Sequence, residues 1–238
     1  MDFGETAVSP ARRGFRMPAE WEPHRATWII WPHNRLDWEV KTSAVRWCFA
    51  EIVKELTKGE RVALVVQDQA GRRQAERSLA NVGTDLSQVE FHVIRTNRSW
   101  IRDCGPIFIT KRASRGRPPI ALTDWGFNGW ARYRAWTRDN AVPAKVAKIL
   151  KMQRFPIRIR YADQFRDVIL EGGSIDVNGQ GLLLTTEQCL LGRVQGRNPG
   201  LSKESIEYAL KASLGIRKVL WLSGGIDGDD TQGHIDDV

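Results

Sequence analysis

Apolar positions along the 238-residue chain fall into short segments of two kinds, continuous runs and helical repeats. Ala26 to Trp31 is an apolar run between turn signals and predicts a strand. From Val40 to Lys58, the residues Val45, Cys48, Phe49, Ile52, Val53 and Leu56 recur at helical spacing, and Gly59 marks a stop. "RVALVV" (61–66) predicts a buried strand, residues 70–82 a polar helix, and "VEFHVI" (89–94) a further strand. "PIFIT" (106–110) and "PIALTDW" (119–125) flank the basic turn "KRASRGRP" and predict a hairpin. Val142, Val146, Ile149 and Leu150 predict a helix over about 139–151, followed by strands near 157–161, 167–171 and 182–186. Ser202 caps a helix carrying Ile206, Ala209, Leu210 and Leu214 and ending at Gly215; "KVLWL" (218–222) is the last strand.

This order repeats. Helices beginning near 70, 139 and 202 are each followed by a strand near 89, 157 and 218, and then by a polar cluster: "WIRDCGP", "LEGGSIDV" and "GHIDDV". The reactive residues of the clusters, Asp103, Glu171 and His234, recur at intervals of roughly 65 residues. The pattern predicts an α/β fold whose repeated module presents one polar side chain to a common centre; an irregular α/β domain with accidental spacing is the alternative. Residues 1–16 read as a basic, disordered leader and 17–238 as one folded domain.

Composition narrows the function classes. Hydrophobic content of 42% and charged content of 27% suit a globular protein. No stretch approaches the roughly 18 apolar residues of a membrane span, and the N-terminus has no apolar signal core. Cys48, Cys104 and Cys189 are far apart, which disfavours a disulfide framework or a Cys-rich zinc site and fits a reducing cytoplasm. The net charge of +8 is scattered over several short basic stretches with no recognisable reading motif, so nucleic acid is not the expected partner.

The clusters hold the chemistry. Read as a strand, "HID" projects His234 and Asp236 to one side and Ile235 to the core. Asp103 is expected at a strand end before a Gly-Pro break. Glu171, after three apolar residues and before two glycines, is expected partly desolvated and in need of a cationic partner, His234 or a ligand. Three acids and a histidine can bind a metal, transfer protons or hold an organic cation. A planar guanidinium suits them, because carboxylates grip its N–H fork in pairs; Trp100, Trp125 and Trp130 are candidate aromatic walls. The histidines sit in unrelated contexts, so no metal is expected.

Six collinear blocks carry a resemblance: "MPAEWEPHRATWIIWP" (17–32), "SWIRDCGPIFI" (99–109), "DWGFNGWARY" (124–133), "LEGGSIDVNGQGLLLTTEQCLL" (170–191), "RNPGLSKESIE" (197–207) and "GDDTQGHIDDV" (228–238). Together they resemble the agmatine deiminase family, which groups with the bacterial-type peptidylarginine deiminases in the pentein superfamily. The resemblance implies a propeller of ββαβ modules, with about three of its five present here. It implies hydrolysis of a guanidine to a urea and ammonia, agmatine giving N-carbamoylputrescine on the way to putrescine, without metal or organic cofactor. By motif, Asp103 and Asp236 would hold the guanidinium, and His234 would act as general acid and then base. Glu171 would orient His234, Trp100 would touch substrate, and Asp229 or Asp230 would reach the distal amine. The family nucleophile is a cysteine in a Gly-rich motif far beyond the "GHID" block. The chain therefore reads as an N-terminal fragment, inactive alone, of a parent for which a homodimer is open. Cys48 reads as core, Cys189 as structural, and Cys104 as a thiol blunted by the adjacent Asp103. Asn97, Arg98 and the basic stretch 128–142 depart from the agmatine pattern. They leave arginine or peptidylarginine as alternative substrates. A non-catalytic binder of guanidinium or polyamine cations is the rival from another class.

Overall fold

A computed structural model describes residues 9–113 and 115–238, and these form two compact units: residues up to Glu22 with Arg102–Val238, and Pro23–Ile101. Each unit encloses its own apolar cluster.

In the Pro23–Ile101 unit, β1 (Ala26–Ile30), α1 (Arg35–Trp38), α2 (Thr42–Leu56), β2 (Arg61–Val66), α3 (Gln69–Asn81) and β3 (Val89–Val93) follow one another. The sheet is parallel, in the order β1-β2-β3, with Ala26 opposite Arg61 and Val62 opposite Val89. As the central strand, β2 is buried from Val62 to Val66, which is why it reads as an unbroken apolar run. Its neighbours in the core are Trp31, Ala50, Val53, Ala75 and Leu79. Asp68 starts α3 by accepting the Gly71 N–H at 2.8 Å. Cys48 is exposed, not core: it precedes the buried Ala50 by two residues, about 200° around the helix.

The single helical turn α4 (Ile101–Cys104) lies at the boundary where the chain returns to the other unit. There follow β4 (Ile107–Thr110), β5 (Ile120–Asp124), α5 (Val142–Leu150) and β6 (Arg154–Pro156). After the hairpin of β7 (Arg158–Tyr161) and β8 (Gln164–Asp167) come β9 (Ile175–Val177), β10 (Leu182–Thr186), α6 (Glu187–Leu191), α7 (Lys203–Leu214) and β11 (Lys218–Leu222). Strand β4 pairs antiparallel with β5, and β5 pairs parallel with β6; β9, β10 and β11 repeat that arrangement. Short turns give antiparallel partners and helical crossovers give parallel ones, so this unit holds the expected ββαβ module twice. In Pro23–Ile101 the β1–β2 link is itself helical, and that module reads βαβαβ.

Two sequence expectations shift here. Strand β8 ends at Asp167, and beyond it a single bridge joins Ile169 to Gly126. Val168 and Leu170 turn into the core, while the Asn198 side chain takes the Ile169 N–H and C=O at 2.9 Å each. Residues 9–16 are not frayed: Ala11–Arg13 form a 3₁₀ turn, Phe15 is 5% exposed within the core, and Arg16 and Thr110 exchange backbone hydrogen bonds at 2.8 Å. One buried aromatic and one edge pairing hold the basic stretch down; residues 1–8 lie outside the described residues. Among the described residues no helix is long and apolar enough to cross a membrane.

Candidate functional site

Gly173 is the floor of a polar cluster. It lies in the 3₁₀ turn Gly172–Ser174, which follows Glu171. A Cβ added there would meet His234 Nδ1 at 2.6 Å, Asp236 Oδ2 at 2.7 Å and Asp103 Oδ1 at 2.8 Å. Its N–H donates to Asp103 Oδ1 at 3.2 Å, and its carbonyl accepts the N–H groups of Ile235 and Asp236 at 3.2 and 3.3 Å. One residue without a side chain thus gathers three functional groups from two other segments.

Two of the segments that carry the cluster differ from their predicted form. Asp103 sits on the turn α4, not at a strand end, and is 8% exposed. Glu171 ends an extended segment and is fully buried, as the flanking apolar residues and glycines predict. His234 and Asp236 lie on an irregular loop, not a strand. They still face one another, His234 Nδ1 being 3.4 Å from Asp236 Oδ1, and Ile235 is buried between them. Asp229 shapes this loop: its carboxylate accepts the N–H of Thr231 at 2.7 Å, of Gly233 at 2.6 Å and of His234 at 3.1 Å. Burial pushes the Asp229 carboxyl up, but the Thr231 hydroxyl and these backbone donors outweigh it and hold it at about 2.

His234 bridges the acids. Its Nε2 is 3.2 Å from Glu171 Oε2, and its Nδ1 is 3.8 Å from Asp103 Oδ1. Burial pulls the imidazole down, yet Asp236, Cys189, Glu171 and Asp103 together push it up to about 12, so the ring is an imidazolium around neutral pH. Asp103 is raised to about 6, chiefly by burial. His234 pulls it back, Glu171 and Asp236 push it further, and the Trp130 N–H lowers it.

Arg197 is the member the sequence pattern did not single out, because "RNPG" reads as a turn. Its side chain and that of Glu171 are both 0% exposed. Its Nε donates to Glu171 Oε1 and Oε2 at 2.8 and 3.0 Å, Nη1 to the Gln195 carbonyl at 2.7 Å and Nη2 to the Thr231 carbonyl at 2.5 Å. The partner required by a buried Glu171 is therefore double: Arg197 and His234.

The tryptophans part ways. Trp130 is buried and donates Nε1–H to Asp103 Oδ2 at 3.1 Å. A left-handed backbone run at Gly129, Trp130 and Ala131 (φ 68°, 58° and 54°) forms the turn that carries it, a costly conformation for the last two. Trp125 belongs to the core and donates to Thr123 Oγ1 at 2.9 Å. Trp100 belongs to the other unit, where it is 41% exposed and leans on Trp38 at 5.3 Å. Arg98, also there, is paired with Asp37 at 2.5 Å. Asp230 is exposed and already held by the Arg132 guanidinium and by the Tyr133 hydroxyl at 2.7 Å.

Cys104 and Cys189 are buried, and burial pushes both thiols up. Ligand atoms of Glu171, Cys189 and His234 lie within 4.8 Å of one another and could converge on an ion. Arg197 places positive charge against that triplet and a protonated His234 offers no free ring nitrogen, so the arrangement suits a held proton better than a metal. Asp236, 37% exposed, is the outward member; Arg102 Nε is 3.8 Å from its Oδ2, and a cleft of about 350 Å³ opens beside them.

Known proteins share this frame. The model of the Porphyromonas-type peptidyl-arginine deiminase family matches residues 16–238. The agmatine deiminase of Pseudomonas aeruginosa is 38% identical over 233 residues, 96% of this chain and 58% of the relative. That of Medicago truncatula is 37% identical over 240 residues, 97% of this chain and 59% of the relative. The solved agmatine deiminase of Enterococcus faecalis superposes with a TM-score of 0.83 at 36% identity, over 98% of this chain and 60% of that one. The chain thus spans about three-fifths of the length of these relatives, and its repeated sheets are those of the pentein-type α/β fold. It belongs to the Porphyromonas-type peptidyl-arginine deiminase family.

Proposed function

We propose that this chain supplies the cation-binding and proton-transfer part of a guanidine hydrolase of the agmatine deiminase type, converting agmatine and water to N-carbamoylputrescine and ammonia. The observation that carries the reading is the convergence of Asp103, Asp236 and a protonated His234 over the bare backbone of Gly173. Asp103 and Asp236 hold the guanidinium by its N–H fork. His234 gives a proton to the departing nitrogen, which leaves as ammonia, and then takes one from the attacking water. Glu171, occupied by Arg197 and His234, orients the ring and does not grip substrate.

None of the three cysteines here has the setting of an activated nucleophile. Cys104 and Cys189 are buried with raised thiols, and Cys48 lies on an exposed helix face of the other unit. The attacking thiol of the family's covalent route comes from other residues of the working enzyme. The free thiols fit a reducing, cytoplasmic setting.

Calorimetric titration of the chain with agmatine tests this. Binding weakened at least about tenfold by Asp103→Asn and by Asp236→Asn is expected. No binding, or binding indifferent to both, overturns the reading. A second substrate is favoured by one contact: Arg132 already neutralises Asp230, the residue expected to meet a distal amine. An exposed guanidinium at that place suits the carboxylate of arginine or of a peptidylarginine, and tighter binding of arginine than of agmatine would select it.

A further inference from the structure

Glu171 and Arg197 form the most deeply buried ion pair in the described residues, and nothing in the reaction above needs a permanent guanidinium beside the reacting one. A buried pair of this kind is costly to assemble, and a well-packed apolar pair would often serve a core as well or better. What an apolar pair could not reproduce is the connectivity. Arg197 holds the carboxylate whose other contact is His234, and its Nη2 holds the Thr231 carbonyl of the loop that carries His234. Asp229 fixes the same loop from its other side, through the N–H groups of Gly233 and His234.

We propose that Arg197 is a positioning residue: it ties Glu171 to the 229–234 loop, so that Glu171 meets His234 at Nε2 and leaves Nδ1 facing Asp103 and Asp236. This rests on the deiminase reading for its purpose, but its geometry is tested without substrate. The guanidinium is suited to the task because it forks. Nε grips both carboxylate oxygens, while Nη1 and Nη2 reach the Gln195 and Thr231 carbonyls, bonds that a point-charge ammonium cannot make together. Arg197 also denies Glu171 to an incoming cation, which leaves Asp103 and Asp236 as the pair available to a ligand.

The test is NMR of the chain with labelled histidine. In the parent chain the His234 Nε2–H, held between a buried ring and Glu171, gives a downfield, exchange-protected resonance that Glu171→Gln abolishes. Arg197→Met is expected to lose that resonance while the rest of its unit keeps its amide dispersion. Arg197→Lys, which keeps the charge but not the fork, is expected to keep the ring proton and to speed amide exchange at Gly233 and His234 about tenfold or more. A folded Arg197→Met with the ring proton unchanged overturns the proposal, as does a parent chain without that resonance. Failure of both variants to fold overturns it too, since Arg197 would then be a structural pillar and nothing finer. Agmatine affinity, measured separately, judges the deiminase reading: its absence alongside the expected ring and loop changes leaves Arg197's role intact.

Discussion

On the proposed function, Asp103 is the residue whose charge state sets what the cluster can hold. It is raised to about 6 mainly by burial, so it gains a proton just below neutrality, whereas a guanidinium ligand keeps its charge. Agmatine affinity is expected to fall about tenfold per pH unit once pH drops below about 6; calorimetry at a series of pH values checks this, and Asp103→Asn removes the dependence. The same group weighs on stability. Its folded value lies above the ordinary 3.8, so the folded state holds the proton more tightly than the unfolded one. The stabilisation is complete below about pH 4 and is lost as pH rises through about 6, an effect of the order of 3 kcal/mol. Urea melts of the parent chain and of Asp103→Asn over pH 4 to 7 should therefore diverge, with the variant showing the shallower decline. Much of this residue chemistry was legible in advance, because an acid flanked by apolar residues and glycines signals desolvation, as at Glu171. Arg197 was not, since its guanidinium finds its carboxylate across a long loop, and no spacing rule joins "RNPG" to "LEGG". The donor role of Trp130 was hidden for a different reason: it depends on a left-handed turn at a non-glycine residue, which propensity argues against.

At the scale of elements, the longer strands and helices followed from periodicity because burial is what the apolar pattern records, whereas the short α1, β6, β9 and α6 left no such signal. The segments that carry the site are exceptions of another kind. "HID" alternates like a strand yet forms a loop, because Asp229 and the Gly173 carbonyl satisfy its backbone in place of a neighbouring strand. The turn at Gly172–Ser174 is the other such segment. Gly173→Ala places a methyl group 2.6–2.8 Å from His234, Asp236 and Asp103, and overpacking of this kind costs about 1–3 kcal/mol. The expected outcome is a folded chain that binds agmatine at least about tenfold more weakly, with a lowered melting temperature. Wild-type affinity in Gly173→Ala would show that the three groups do not act at one point.

For the whole molecule, the approximate 65-residue interval corresponds to the recurrence of ββαβ at β4–β6 and β9–β11, and it places Asp103 and Glu171 just before the first strand of each module. The first module departs from this because its opening link is a helix, a distinction that strand periodicity alone does not carry. The basic N-terminal stretch was misjudged by composition: a single aromatic, Phe15, anchors it. Phe15→Ala is expected to destabilise its unit by about 3–5 kcal/mol, read as a loss of melting temperature together with protease cleavage near Arg12 and Arg13. An unchanged melt would return residues 9–16 to the status of a loose leader.

The bare backbone at Gly173 has a consequence for how such a site could change its ligand. No side chain can be added at Gly173 without meeting His234, Asp236 and Asp103, so this point of the cluster offers no room for tailoring. On the proposed reading, new preferences have to be written further out, at Tyr133 and Asp230, whereas Trp130, which holds Asp103, ties the turn that carries it to the proton chemistry.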